Sequence, residues 1–331
     1  MDLQKISVQK LVEEKNKKKI LFTPGPASLL QENIEGISPC FGRGDIDYLK
    51  VENQVLNYLK ELSGHKNIVR LQGSSSLALE IIIANFIYGK VLIIDSGYYS
   101  SRLKDISNSY RKENKNITNL NSISWEKIED IKENYDWIIA CYTETSCGLK
   151  LPIERIHSIA KRVNARLMLD ATASIGLEEN HHLADVIGYS SCKGLCGLTG
   201  AGFIAFNEPG INSTNSFYLN INTHIEKKIT GPYHSISSIY NVIPKYKEIK
   251  HSIIINKKRF QKIYKDNLTL EEEYQPMLCT YVNCKLKSNS KKVVLYEPRI
   301  NKKGSIICHL GEVHLGKQST GKIIDKLLKD R

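Results

Sequence analysis

Leu167-Met168-Leu169-Asp170 and Val186-Ile187-Gly188-Tyr189-Ser190-Ser191-Cys192-Lys193-Gly194 decide how this chain is read. Each opens on a continuous apolar run, the pattern of a strand buried on both faces of a sheet. Each also leads into a side chain with chemistry to offer. The carboxyl ends of such strands are where open parallel sheets place their ligands, so Asp170 is expected to emerge into a site. A carboxylate buried there needs a cationic partner, or it takes up a proton. Lys193 follows its own apolar run and precedes a glycine-rich stretch reaching Gly202, surroundings that partly desolvate it. Burial and a nearby cation favour the neutral amine that covalent imine chemistry requires. An isolated Asp is as often a helix cap, and most lysines are solvated, so it is the pairing that carries weight.

Outward from these two runs, the segment from about Asn67 to Asn207 alternates short apolar stretches with longer amphipathic ones, the signature of an α/β fold. Strands are expected at Ile68 to Leu71, Val91 to Asp95, Trp137 to Tyr142, Leu167 to Asp170, Val186 to Tyr189 and Gly202 to Phe206. Helices are expected at Ser76 to Ile87, after a glycine-serine turn, and at Ile153 to Val163, which Pro152 introduces. Beyond about Ser235 lysine-rich segments give way to two short strands, Lys292 to Tyr296 and Ser305 to Leu310, and a terminal helix from about Ser319. The expected division is an N-terminal helical segment over 1–20, a large α/β domain over 21–235 and a small α+β domain over 236–331.

The strand ending at Leu71 runs through Gln72-Gly73-Ser74-Ser75-Ser76 straight into a helix. Such a turn can hold a phosphate, because the glycine admits close backbone approach, the first helical N–H groups point outward, and three hydroxyls add donors. Serine-rich caps are common, so the turn gains meaning only beside Asp170 and Lys193. Phosphate-type turn, acid and lysine, in that order, form a stronger pattern than any one of them.

At this point the chain resembles the class V aminotransferases of fold type I, and within them the 2-aminoethylphosphonate:pyruvate transaminases. The likeness is carried by Leu21-Phe22-Thr23-Pro24-Gly25-Pro26, Leu71-Gln72-Gly73-Ser74, Ser96-Gly97-Tyr98-Tyr99, Glu144-Thr145-Ser146-Cys147-Gly148, Asp170-Ala171 with Gly176, and Lys193 followed by Gly197, Gly200 and Gly202-Phe203. It covers roughly Leu21 to Asn207 and thins out afterwards. The resemblance implies a mostly parallel central sheet with helices on both faces, and pyridoxal 5'-phosphate as cofactor. It implies that Lys193 holds the cofactor as a Schiff base and later moves a proton, while Asp170 keeps the pyridine nitrogen protonated and makes the ring an electron sink. It further implies that Ser74, Ser75 and Ser76 bind the phosphate, that Tyr99 stacks on the ring, and that Thr145 bonds the phenolic oxygen. Thr230, in Thr230-Gly231-Pro232, would be lent to the phosphate by a neighbouring subunit, making the protein a homodimer with its site at the interface.

One departure bears on substrate. The family carries an arginine near its C-terminus that receives the substrate's phosphonate or carboxylate, and Ile306 stands at that position here. An aliphatic side chain cannot replace a bidentate guanidinium, so Arg299 or Arg43 is expected to supply the charge from another direction.

Composition sets the outer limits. A chain of 331 residues with 41% hydrophobic residues can bury a sizeable core. The opening stretch mixes acids and lysines without an apolar region, so it does not read as a signal peptide, and a cytoplasmic enzyme without a membrane span is expected. The eight cysteines show no paired metal-binding spacing, so no metal is expected and reduced, buried thiols are. Of the net +12, +11 falls after residue 235, yet no nucleic-acid motif accompanies it and nucleic acid is not an expected partner. The expected activity is amino-group transfer from a small-molecule amino donor to an oxo acceptor by a ping-pong route. The alternatives are a lyase or desulfurase on the same scaffold, with Cys308 as nucleophile, and a binding protein that keeps the cofactor fold without turnover.

Overall fold

The computed structural model describes residues 7, 10–11, 14, 18–26, 30–35, 37, 42, 44–212, 214–226, 229–300, 303–311, 313 and 327–329. Seven strands make the central sheet: β1 Asn67–Gln72, β2 Gly89–Asp95, β3 Ile117–Ser124, β4 Trp137–Cys141, β5 Arg166–Asp170, β6 Val186–Ser190 and β7 Ala201–Phe206. Their order across the sheet is β1-β7-β6-β5-β4-β2-β3. The pairings β3 with β2, β2 with β4, β4 with β5 and β5 with β6 are parallel, and β7 runs antiparallel to both its neighbours. The carboxyl ends of the parallel strands therefore share one edge of the sheet, joined there by the start of β7.

The apolar runs of these strands alternate between two cores. Leu92, Ile94, Ile138, Ala140, Leu167 and Leu169 face one core, whereas Val91, Ile93, Ile139 and Met168 face the other. That is the two-residue period of a pleated strand with both faces covered. On the first face lie α1 (Ile46–Ser63), α4 (Ile153–Arg162) and α5 (Tyr233–Val242); on the second lie α2 (Ser75–Asn85) and α3 (Tyr98–Asn114). Helix α1 begins where Asp45 accepts bonds from the N–H groups of Asp47 and Tyr48, and it stops at Gly64 in a left-handed conformation. Helix α4 buries Ile153, Ile156, Ile159 and Ala160 along one stripe, the spacing that made it readable in advance.

After residue 245 the chain forms α6 (Tyr246–Ile263) and short strand pairs. β8 (Cys279–Val282) pairs antiparallel with β9 (Ser305–Cys308), and Leu286–Ser288 pairs antiparallel with Leu327–Lys329. The strand Val293–Leu295 pairs in parallel with Ile20–Phe22, so an early segment of the chain joins its last third. Phe22, Phe260, Val282 and Ile307 form a core of their own there. The helix expected from Ser319 falls mostly outside the described residues, and where description resumes, Leu327–Lys329 is strand. No described helix is long and apolar enough to cross a membrane.

Candidate active site

A cavity of about 600 Å3 opens at the shared edge, lined by residues from the ends of β1, β4, β5 and β6 and from the Thr23–Pro26 turn. Lys193 lies in the loop after β6 and Asp170 is the last residue of β5, so the two parallel neighbours deliver both side chains to one place. The turn Thr23-Pro24-Gly25-Pro26 presses on the lysine. A Cβ on Gly25, whose φ is +134°, would stand 2.9 Å from Lys193 Cγ, so only glycine fits between turn and lysine.

Asp170 is 2% exposed. Its Oδ1 accepts from the Thr172 N–H at 2.9 Å and from the Thr172 hydroxyl, while Oδ2 lies 3.4 Å from Arg102 Nη2. The carboxylate thus has the cation that its burial demands. Arg102 also donates from Nη1 to Ser76 Oγ at 3.2 Å, and its guanidinium carbon lies 5.0 Å from the centre of the Tyr99 ring. Lys193 Nζ approaches the same ring at 5.6 Å.

Tyr99 and Arg102 lie one turn apart at the start of α3, and a buried carboxylate from another element fixes its first turn. Glu144 is fully buried, and its Oε2 accepts from the N–H groups of Tyr99 at 2.9 Å and Ser100 at 3.2 Å. Its Oε1 accepts from Ser146, through the N–H and the hydroxyl. Burial pushes the Glu144 carboxyl up, and these four bonds pull it back toward the charged form that suits a helix N-terminus. Gly97, at φ +149°, sits so close that a Cβ there would meet Ser146 Oγ at 2.8 Å.

Ser74 is the N-cap of α2 and its side chain makes no capping bond, which leaves the hydroxyl for a ligand. Ser74 and Ser75 line the cavity; Ser76 is turned toward Arg102. Thr143 and Thr145 line it too, and their buried hydroxyl oxygens find no protein partner. A buried orphaned hydroxyl costs free energy unless something else bonds it, so a polar ligand edge fits beside both. At the mouth, Arg299 Nη1 donates to the Tyr98 hydroxyl at 3.1 Å, and Tyr296 lines the cavity with its hydroxyl turned toward Tyr99.

The structure therefore brings together Lys193, Asp170, Ser74, Ser75, Tyr99, Thr145 and Arg299, with Ser76 reached through Arg102. Thr230 is exposed and does not line the cavity of its own chain. Arg43 lies outside the described residues. Ile306 is buried at 1% exposure among Cys279 and Cys308, behind Tyr296. Cys308 is fully buried, and burial first, then the neighbouring Cys279, pushes its thiol well above the usual range. A thiol so placed is a poor nucleophile, which argues against the desulfurase alternative built on it. Sequence reasoning missed Arg102, Thr143 and Thr172. Arg102 follows Tyr99 by one helical turn, a spacing that would have exposed it had α3 been expected.

The family model for class V aminotransferases matches residues 48–219. A bifunctional phosphonoacetaldehyde hydrolase/aminoethylphosphonate transaminase from Clostridioides difficile is 24% identical over 299 residues, covering 80% of this chain. This chain spans 47% of that longer protein, about half its length. The 2-aminoethylphosphonate–pyruvate transaminase of Pseudomonas aeruginosa is 25% identical over 253 residues, covering 69% of this chain and 68% of its own length. Among solved structures, alanine–glyoxylate aminotransferase from Nostoc sp. superposes with a TM-score of 0.76 at 17% identity, covering 98% of this chain and 95% of its own. Ureidoglycine–glyoxylate aminotransferase from Bacillus subtilis gives 0.75 at 16% identity, with 92% and 91% covered. At such identities the superpositions speak for the fold.

Proposed function

This chain belongs to the class V aminotransferase family, and from that premise we propose that it is a pyridoxal-phosphate-dependent transaminase whose active site is the cavity around Lys193 and Asp170. The observation that carries the proposal is the meeting, at one sheet edge, of a lysine, a buried carboxylate and a serine-capped helix start. The orphaned Thr145 hydroxyl matches the same ligand: it can donate to a phenolic oxygen while Ser74, Ser75 and the α2 N-terminus hold a phosphate. Tyr99 offers a ring face to a flat aromatic ligand.

When bound, the cofactor supplies an electron sink for charge that develops on the substrate carbon. The protein's own residues do the rest. Asp170, paired with Arg102 and oriented by Thr172, would hold a proton on the ring nitrogen. Lys193 supplies the amine for covalent attachment, and once free it moves the proton at the substrate carbon as a general base. Glu144 keeps the Tyr99 turn in place. The donors and acceptors are small amines or amino acids and oxo acids, with 2-aminoethylphosphonate and pyruvate among the candidates because two relatives carry aminoethylphosphonate in their names. The test is a panel of 2-aminoethylphosphonate, alanine and glutamate added to the cofactor-loaded protein. At least one amine should convert the visible band to that of the aminated cofactor in a single turnover, without release of sulfide. Conversion by none of them would remove the transaminase reading.

The proposal includes a homodimer whose partner supplies Thr230. Large apolar side chains stand exposed at the start of α1 and in the stretch leading to Thr230: Ile46 is 69% exposed, Phe217 57% and Ile225 46%. Leu49 and Ile225 flank a second cleft lined also by Glu52, Arg70 and His224, and Tyr218 reaches back to the Gln72 carbonyl at the end of β1. On this reading such side chains are covered by a second copy, whose phosphate turn takes Thr230. Sedimentation should give twice the monomer mass, and Thr230→Ala should weaken cofactor retention several-fold. A monomer that binds cofactor at full affinity would contradict this part.

A further inference from the structure

On the transaminase reading of this cavity, we infer that Arg299 receives the anionic head of the substrate in place of the arginine missing at Ile306, and that the substrates carry a single such head. The strand position is closed: Ile306 packs against Cys279 and Cys308, and Tyr296 stands between that cluster and the cavity. Three basic side chains line the cavity among the described residues. Lys193 is committed to the cofactor, and Arg102 is committed to Asp170 and Ser76. Arg299 is the remaining cation.

Its setting suits the task. One N–H of the guanidinium is spent on the Tyr98 hydroxyl at 3.1 Å, and the group lies 5.2 Å from the centre of the Tyr98 ring. A guanidinium has five donors in a planar fork, so a pair remains for a carboxylate or phosphonate. The hydroxyls of Tyr98, Tyr99 and Tyr296 all bear on it, the Tyr98 bond most strongly, and they hold its pKa above the ordinary value. Tyr98 is itself anchored, its N–H donating to Ser146 Oγ at 3.1 Å beside the Glu144 cap. The turn that positions Tyr99 over the reacting centre thus also positions the anion receptor, which fixes the distance between the two ends of a substrate.

A second anionic group would find no further described cation. The walls left to it offer neutral groups, the unpaired hydroxyls of Thr143 and Tyr296 among them, and a charge placed against these is paired less well than at a guanidinium. Dicarboxylates such as glutamate and 2-oxoglutarate are therefore expected to bind more weakly than alanine, pyruvate and 2-aminoethylphosphonate.

Unreactive anions test this apart from turnover. Propionate, methylphosphonate and succinate, none of which bears an amine, are titrated into the cofactor-loaded protein by calorimetry and by visible absorption. Propionate or methylphosphonate should saturate, and the tighter of the two identifies the head as carboxylate or phosphonate. Succinate should require at least about 10-fold more, the penalty of one poorly paired charge. Arg299→Gln should raise the half-saturating concentration about 10- to 100-fold, the range for losing a charged hydrogen-bond partner, with cofactor content unchanged. Arg299→Lys should fall between, and Tyr98→Phe should cost about 3-fold through a loosened arm. Unaltered binding in Arg299→Gln, succinate binding as tightly as the others, or no binding of any anion by the wild type would overturn the inference. A wild type that takes up no cofactor has a different signature, no visible band at all, and would remove the transaminase reading together with this one.

Discussion

Lys193→Ala should leave a protein that folds normally, gains no covalently held visible band with pyridoxal phosphate, and turns over at least about 10^3-fold more slowly than wild type, the scale expected when a positioned acid–base group is lost. Two functions disappear together: the amine that anchors the cofactor and the base that moves the substrate proton. The fold should tolerate the change, because the side chain projects into a cavity, where it meets the Gly25 turn and the Tyr99 ring. Ser74, Ser75 and Asp170 remain, so the variant should still bind the cofactor reversibly. A small exogenous amine, entering the space vacated beside Gly25, should recover part of the rate. A variant with unchanged absorbance and turnover would show that another lysine does the chemistry.

Asp170→Asn is the second large expectation, a fall in kcat of about 10^2- to 10^3-fold, the range seen when one electrostatic contact to a reacting group is lost. The substitution keeps the side chain's size and can keep an oxygen toward Thr172, so the backbone of the β5 end should hold. What goes is the charge. Arg102 then faces a neutral amide at a site where its Nε already lacks a partner. The ring nitrogen loses the anion that holds its proton, and the electron sink weakens. The absorption of the loaded variant should shift accordingly. Unfolding midpoints separate this from damage to the fold, since a merely structural aspartate would lower stability without altering the cofactor's spectrum. Unchanged kcat in Asp170→Asn would mean that the carboxylate has no catalytic part.

Much of the central sheet was legible because continuous apolar runs announce strands covered on both faces. Six of the seven strands in the sheet were expected within a residue or two. The exception, β3, reads Ile-Thr-Asn-Leu-Asn-Ser-Ile-Ser at the sheet edge, half exposed and too polar to stand out. Helix α3 was hidden in a similar way, since Tyr98 to Asn114 is rich in serine and charge and its start is held by Glu144 from another element as well as by the local bonds to Ser100 Oγ. A long-range cap leaves no mark in the local sequence. Arg102 went unseen with its helix. Lys193, Asp170 and the serine turn were readable because each sits where a regular element ends, and ends are punctuated by glycine and polar residues. Arg299 was singled out from the gap at Ile306, but its arm on Tyr98 depends on residues two hundred positions apart coming together, which no spacing rule conveys.

Borohydride reduction of the wild-type protein after incubation with pyridoxal phosphate, followed by peptide mass spectrometry, addresses the central claim most directly. One reduced phosphopyridoxyl adduct should be found, on the peptide containing Lys193. An adduct fixed on a different lysine, or none on a protein that stays colourless, would contradict the account.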